Sequence, residues 1–382
     1  MSIDLPAHLD GKSVVVILLV LIGTGMTAVW RARERIPPRA LRIALVLSVA
    51  SAGALLAWTF WTRPQPQPSD LAPVWAGARA VLAHQNPYVM VGPGRPFEWP
   101  FPLLYPMTAV VTLLPLASVP LRWVDPIFVG IGFGLFAWGV TKRQVVPPAL
   151  IAIISLPALM ALQTSQWSLL LTGASLVPVA GWLLIAKPTI GLALFAAFPD
   201  WKTGIGCAVL LALSLFVWPG WVADWRMTFA SAPHVIPPLA RTGGPLLLLA
   251  ALRWKRADAR LLLALACVPH TTAPYETIPL FLIPCSWPQA WGLWMLALLA
   301  FTAQWLSGPY DSQAAYWASG ARWIVWLMYL PCLGIILCRP NEWTFSIPTQ
   351  EASGVHSAAV ESGAADPIAT ACRTSLSRTQ SP

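Results

Sequence analysis

Residues 39–61 read RALRIALVLSVASAGALLAWTFW, and this run decides the class of fold. After Arg39 and Arg42 every residue is apolar or small, and none is acidic. Such a run provides the roughly 20 residues that a helix needs to cross the hydrocarbon core of a bilayer. We therefore predict a transmembrane helix over about Arg39–Trp61.

The composition extends this prediction to the whole chain. Of the 382 residues 57% are hydrophobic and only 10% are charged, and the mean hydropathy is +0.65. Soluble domains carry roughly 25% charged residues. The first apolar run, Ser13–Trp30, has its flanking charges in the reverse order of a signal peptide and predicts a retained helix. We predict an all-α polytopic protein of the cell membrane with about 11–13 membrane segments.

The basic residues predict the orientation. Although the net charge is +9, the basic residues form short clusters between apolar runs, such as Arg31–Arg35 and Arg253–Arg256, and do not indicate a nucleic-acid partner. Cytoplasmic loops of membrane proteins are enriched in Lys and Arg. Both clusters are therefore predicted to be cytoplasmic, which puts the loop after Trp61 on the outer face.

Four regions are predicted: two N-terminal transmembrane helices (1–62), an outer loop (63–122), a transmembrane bundle with further outer loops (123–338) and a disordered cytoplasmic tail (339–382). In the outer loop, Pro64–Pro68 predicts a stiff spacer and Pro73–His84 an amphipathic helix in the membrane interface. The run Leu103–Leu116 is too short and too rich in proline to span, which predicts an interfacial or re-entrant segment.

Short apolar runs in the bundle indicate a cavity. Leu169–Leu176, Val179–Ile185 and Thr189–Phe198 are each far below the roughly 20 residues of a spanning helix. Half-length helices are tolerated at membrane depth only where protein or a water-filled cavity covers their ends. The sequence therefore predicts a cavity at this depth.

Asp70 is the main candidate for chemistry. It follows a spanning helix, where a carboxylate is held in place and partly dehydrated, as suits a base that takes a proton from a sugar hydroxyl. The alternative is that Ser69 and Asp70 are only the N-cap of the helix that begins near Pro73. Both interpretations can hold together.

Other residues are predicted to approach the outer rim of the same cavity: Tyr88, Glu98, Gln166, Lys187, His270, Tyr275 and Glu276. Trp99 is a further candidate for substrate binding, and Arg241 and His270 are candidates, beside Lys187, for binding the donor phosphate. A lysine between apolar segments is costly and can bind a phosphate as a point charge. The plainer alternatives are a snorkelling anchor for Lys187, a solvated acid near a helix start for Glu276 and an interface histidine for His270. No Cys-x-x-Cys or His/Cys spacing occurs, so we expect neither a metal nor a cofactor.

Several motifs together carry a family resemblance. In order they are Ser69-Asp70, Ala76-Gly77-Ala78-Arg79, Asn86-Pro87-Tyr88, Phe97-Glu98-Trp99-Pro100, Leu113-Leu114-Pro115-Leu116, Ser165-Gln166, Ala186-Lys187-Pro188 and Pro274-Tyr275-Glu276. This series resembles glycosyltransferase family 87, with Ser165 in place of the glycine of its Gly-Gln loop. The resemblance implies a helical bundle of the C superfamily (GT-C) with a large first outer loop.

The resemblance also implies an activity. It implies transfer of a hexose such as mannose from a polyprenyl-phosphate donor to a lipid or glycan acceptor on the non-cytoplasmic face, with inversion. By position Asp70 is the general base, and membrane lipids are the other expected partners. Two alternatives stay open: a transporter or flippase of a lipid-linked or small anionic substrate, and a structural membrane subunit. The absence of an internal sequence repeat favours the transferase over a transporter built from inverted repeats.

Overall fold

The protein is represented by a computed structural model, which describes residues 37–61, 68–142, 144, 146–230, 236–269, 273–311 and 313–345. These residues are mostly helical. The strands among them are β1 (Val91–Gly92) and β2 (Phe97–Glu98), a parallel pair in which Val91 lies opposite Phe97. The predicted first helix, Ser13–Trp30, and most of the Pro64–Pro68 spacer lie outside the described residues.

The α-helices are α1 (Pro38–Trp61), α2 (Ala72–Leu82), α3 (Pro87–Met90), α4 (Met107–Leu113), α5 (Leu121–Val140), α6 (Leu156–Gln163), α7 (Ser168–Ser175), α8 (Pro188–Ala197), α9 (Trp201–Val217), α10 (Trp221–Ala230), α11 (Ala257–Cys267), α12 (Trp287–Leu306), α13 (Gln313–Ile324) and α14 (Leu330–Leu337). A π-helical turn, Val325–Tyr329, joins α13 to α14. The 3-10 segments are Leu114–Leu116, Pro148–Ile154, Pro178–Ala186, Pro238–Ala240, Gly244–Arg253 and Pro274–Leu282.

Three helices in the described ranges are long and apolar enough to cross a membrane: Pro38–Trp61, Leu121–Val140 and Ala318–Leu337. A fourth is possible if α9 and α10, bent by 94°, are counted as one span. The predicted helical architecture is therefore confirmed in outline, and these helices are compatible with a membrane protein. Most of the other predicted segments are short or broken, so the expected 11–13 segments are not a series of full-length spans.

Helices α1 and α5 pack closely through small residues. A methyl group added at Gly130 would lie 2.8 Å from the Cβ of Ala54, and one at Gly134 would lie 2.9 Å from the Cβ of Ala50. Small residues four apart let two membrane helices approach until their backbones nearly touch. Leu47, by contrast, is 61% exposed on the far side of α1, as expected for a face that meets lipid.

Polar contacts show that α1 and α5 are antiparallel. Near the start of α1, Arg42 donates to the carbonyl of Trp138, close to the end of α5, at 2.7 Å. Beyond the other end of α1, Ser69 Oγ donates to Asp125 Oδ1, near the start of α5, at 2.7 Å. Arg42 thus lies at one end of the pair, and Asp70 and Asp125 lie at the other end together with Arg122.

The predicted short segments are present. The three apolar runs correspond to α7, the 3-10 segment Pro178–Ala186, and α8. Helix α7 packs so tightly on α5 that a methyl group at Gly173 would lie 2.4 Å from the Phe136 nitrogen. The chain turns back between these pieces, so several helix starts lie inside the protein.

The helix predicted over Pro73–His84 is present as α2 and is largely packed against protein; its place in the membrane interface stays a prediction. Helix α2 is buried on most sides, and only Arg79 and Leu82 are exposed within it. Its small residues allow this close packing, since a methyl group at Gly77 would lie 3.2 Å from Leu103. Helix α4 is buried as well, so this part of the outer loop is folded core.

The predicted disordered tail does not begin at residue 339. Arg339 forms an ion pair with Asp258 and donates to the carbonyl of Ile283. Arg260 donates to the carbonyl of Thr344 at 2.8 Å. Residues up to 345 are therefore held against the bundle by arginine contacts, and the rest of the predicted tail lies outside the described residues.

Candidate functional site

Asp70 is held by contacts with a distant loop. Its backbone nitrogen donates to the carbonyl of Thr164 at 3.1 Å, and its carboxylate accepts a hydrogen bond from Gln166 Nε2. The N-cap of α2 is Leu71, and no side chain caps that helix. The interpretation of Asp70 as a helix cap is therefore wrong, and its carboxylate is hydrogen-bonded to Gln166 instead.

A second contact joins the same two loops to α5. The hydroxyl of Ser69 donates to Asp125, which is 1% exposed and lies near Ser165. Ser165 has a φ of 52°, in the left-handed region that favours glycine. Sequence reasoning missed Asp125. Its signal was a carboxylate inside an apolar run, which is costly in a membrane.

A series of hydrogen bonds continues from Gln166. Lys187 Nζ donates to Gln166 Oε1 at 3.3 Å and to Glu276 Oε1 at 2.7 Å. Glu276 is 1% exposed, and the Lys187 side chain is 14% exposed. The ammonium also lies 5.5 Å from the centre of the Tyr275 ring. The structure therefore brings together five predicted site residues, which are separated by up to about two hundred positions: Asp70, Gln166, Lys187, Tyr275 and Glu276.

Three residues of this cluster lie at or near the N-terminal ends of helical segments. Gln166 lies two residues before α7, Lys187 directly precedes α8, and Glu276 is in the first turn of the 3-10 segment Pro274–Leu282. None of these three starts has a side-chain cap. The first turn of a helix carries a positive partial charge, so these starts stabilise the nearby carboxylates.

Two aromatic residues that sequence reasoning did not single out also belong to the site. The ring centres of Tyr105 and Trp167 are 6.3 Å apart, and Tyr88 donates to the carbonyl of Tyr105 at 3.2 Å. Burial raises the pKa of Tyr105 to about 12, Lys187 opposes the rise, and the nearby carboxylates of Asp70 and Glu276 add to it. The phenol is therefore a hydrogen-bond donor at neutral pH.

The environment of Asp70 suits a base. Burial raises the pKa of Asp70 above its usual value, although the hydrogen bond from Gln166 and the charge of Lys187 oppose the rise. The side chain is only half-buried, so a substrate can reach it. A carboxylate with a raised pKa accepts a proton more readily than an ordinary aspartate.

Of the remaining predicted site residues within the described ranges, Tyr88 contacts a residue of the site, and the others lie away from the cluster around Asp70. Tyr88 is buried and contacts the site only through Tyr105, and Trp99 is packed in the core. Glu98 is exposed and accepts from the backbone of Gly94. Arg241 follows the 3-10 turn Pro238–Ala240 and has no described contact with the cluster around Asp70. His270 lies outside the described residues.

A small cavity opens beside Gln166. It is lined by Phe128, Val129, Gly132, Phe133, Ala161, Gln166 and Leu169. Apart from Gln166 its lining is apolar, so the polar cluster adjoins an apolar hollow between α5, α6 and α7. In the described ranges no three His, Cys, Asp or Glu side chains are arranged to hold a metal ion.

Fold and site together define a mostly helical protein with a few helices long and apolar enough to cross a membrane, and with a polar cluster among shorter, broken helices. The chain matches no model of a known family, no curated protein and no solved structure at a significant level.

Proposed function

We propose that this protein is an integral membrane glycosyltransferase of the GT-C type, similar to family 87. It transfers a hexose such as mannose from a polyprenyl-phosphate donor to a hydroxyl of a lipid or glycan acceptor. The reaction takes place at the outer face of the cell membrane, and Asp70 is the general base. The hydrogen-bonded series Asp70, Gln166, Lys187 and Glu276 carries the proposal.

The chemistry follows from the charges of the site. A phosphate-activated sugar already carries its leaving group, so the protein must position the acceptor, remove its proton and stabilise the phosphate. Asp70 accepts the proton of the acceptor hydroxyl, whose oxygen attacks the anomeric carbon as the bond to phosphate breaks. This single displacement inverts the configuration of that carbon.

The donor phosphate is assigned to Lys187. Its ammonium has three N–H donors, of which Gln166 and Glu276 use two. The starts of α7 and α8 lie beside it without side-chain caps, and free backbone N–H groups at a helix start favour anions. Glu276 balances the charge of the lysine while the site is empty.

A comparison with the family's motifs adds support. Family 87 has a glycine where this chain has Ser165, and Ser165 adopts the left-handed conformation that glycine favours. The turn that delivers Gln166 is therefore compatible with the family's Gly-Gln loop.

The direct test is turnover. Purified protein in detergent is incubated with a panel of polyprenyl-phosphate hexoses and a short glycan acceptor, and release of free polyprenyl phosphate is measured. We expect release with one donor that depends on the acceptor. If the protein binds a lipid-linked sugar and moves it across reconstituted vesicles without releasing polyprenyl phosphate, it is a flippase instead.

A further inference from the structure

The side-chain amide of Gln166 has two chemically different ends, and each end faces a different charge. Its Nε2 group donates to the Asp70 carboxylate, and its Oε1 atom accepts from Lys187 Nζ at 3.3 Å. A lysine ammonium has only donors, and an ionised carboxylate has only acceptors. A rotated amide would put oxygen against oxygen at Asp70, so Lys187 selects the orientation that serves Asp70.

Lys187 is in turn held by Glu276. The ion pair has an N–O distance of 2.7 Å, and Glu276 is 1% exposed. A buried carboxylate of this kind has lost its water and needs a fixed partner. Glu276 therefore keeps the ammonium at the place where it contacts Gln166.

We propose that Glu276, Lys187 and Gln166 form a positioning series that fixes the amide of Gln166 toward Asp70, so that the base is presented to the acceptor in one orientation. The inference rests on the proposed function for its catalytic consequence, but the arrangement itself can be tested without turnover. In it Glu276 does not touch the substrate, and it acts on Asp70 only through its two partners.

The charged groups around Asp70 determine in which direction its pKa should shift when one of them is replaced. Gln166, Lys187 and Tyr105 face it from three segments, Glu276 is paired with Lys187, and Asp125 lies behind it through Ser69. Removing the cation of Lys187 should raise the pKa of Asp70. In Glu276→Gln the amide oxygen can still accept from Lys187 and keep the ammonium in place, but the negative charge is gone. The pKa of Asp70 should then fall, because Lys187 is no longer neutralised.

The experiment compares pH–rate profiles of the full-length protein with a polyprenyl-phosphate hexose as the probe. The rate falls as the pH drops through the pKa of the base. We expect Lys187→Met to move this acid limb to higher pH and Glu276→Gln to move it to lower pH, each by roughly 0.5 to 1 pH unit. Lys187→Arg should return the limb close to its wild-type position.

Matched controls make the same chemical changes elsewhere. Lys202→Met and Glu342→Gln alter exposed residues and should leave the limb unmoved. A loss of stability alone would lower the rate at every pH and would not move the two limbs in opposite directions. Shifts in the same direction, or no shifts, would overturn the proposal.

A second readout does not depend on activity. Infrared difference spectra recorded across pH show the carboxyl band of Asp70, which is assigned by its loss in Asp70→Asn. The same opposite shifts should appear in this titration. If turnover is never observed but the shifts occur, the proposed reaction fails and the positioning series stands; if turnover occurs without the shifts, the series fails alone.

Discussion

At the scale of single residues, Asp70 combines a fixed position with partial exposure. Contacts to Thr164 and Gln166 hold its backbone and its carboxylate, while the side chain stays within reach of a substrate. The pKa of Asp70 is raised chiefly by burial. A raised pKa makes a carboxylate a better proton acceptor. This property is useful to a general base and has no use in a purely structural role.

Asp70→Asn should lower the transfer rate by about 100- to 10,000-fold, because a near-isosteric amide keeps the contacts of the loop but cannot take a proton. Donor binding and the unfolding temperature should stay close to wild type. The measurement is release of polyprenyl phosphate together with a thermal unfolding curve.

The matched control is Asp200→Asn. Asp200 caps α9 by accepting hydrogen bonds from the backbone of Lys202 and Thr203, and asparagine is an equally good cap. This variant should be fully active. If Asp70→Asn kept more than about a tenth of the wild-type rate, Asp70 would not be the base.

Lys187→Met should weaken donor binding by about 1.5–3 kcal/mol, the range for a hydrogen bond to a charged group. Acceptor affinity should change little, and Lys187→Arg should recover part of the loss because the charge remains. Equilibrium binding of a fluorescent polyprenyl-phosphate hexose measures both effects. Unchanged donor affinity in Lys187→Met would leave Lys187 with the positioning role only.

Some of the site residues could be identified from the sequence, and others could not. Asp70, Lys187 and Glu276 are isolated charges beside apolar runs. Burying a charge there costs free energy, which indicates a functional role. Tyr105 carried no such signal, because a tyrosine near an apolar segment is equally expected in a core or at a membrane interface. Its place in the site depends on Trp167, which is 62 positions away (167 − 105).

At the scale of elements, the site depends on how closely α7 lies against α5. Gly173 allows this contact, since a methyl group there would lie 2.4 Å from the Phe136 nitrogen. Gly173→Ala should destabilise the protein by about 1–3 kcal/mol, the usual cost of overpacking. Gly292→Ala, in the middle of α12 with nothing within 4 Å of the added methyl, is the matched control and should be neutral or stabilising.

Thermal unfolding of the two glycine variants in the same detergent provides the measurement. Because Gln166 lies just before α7, the Gly173 variant should also lose activity, while the Gly292 variant should not. Equal stability of the two variants would mean that α7 and α5 are further apart than described.

For the helices, the sequence predicted their lengths better than it predicted whether they pack against lipid or against protein. The short segments α7 and α8 followed from apolar runs too short to span a bilayer. The burial of α2 did not follow, because Ala76, Gly77 and Ala78 fit a helix in lipid interface and a helix packed against protein equally well. Which surface covers a small-residue helix is decided by distant partners such as Leu103 and Val110.

At the scale of the whole molecule, the antiparallel pair α1 and α5 makes orientation testable. In a background without the native cysteines, Arg79→Cys should react with an impermeant thiol reagent in intact cells. Lys142→Cys, at the basic end of α5, should react only after permeabilisation. Both side chains are exposed, so access depends on the side of the membrane. The opposite pattern would put the Asp70 site on the cytoplasmic face.

The order in which the site residues are synthesised has a consequence for biogenesis. Lys187 precedes its partner Glu276 by 89 positions. At about 5–20 residues per second, the ribosome needs roughly 5 to 20 s to make that stretch. During this interval the newly inserted lysine lacks its ion-pair partner, and Asp70, on the other side of Gln166, is the carboxylate of the cluster that has already been made. The buried ion pair can therefore form only when the last third of the protein arrives, which makes closure of this cluster a late step in assembly.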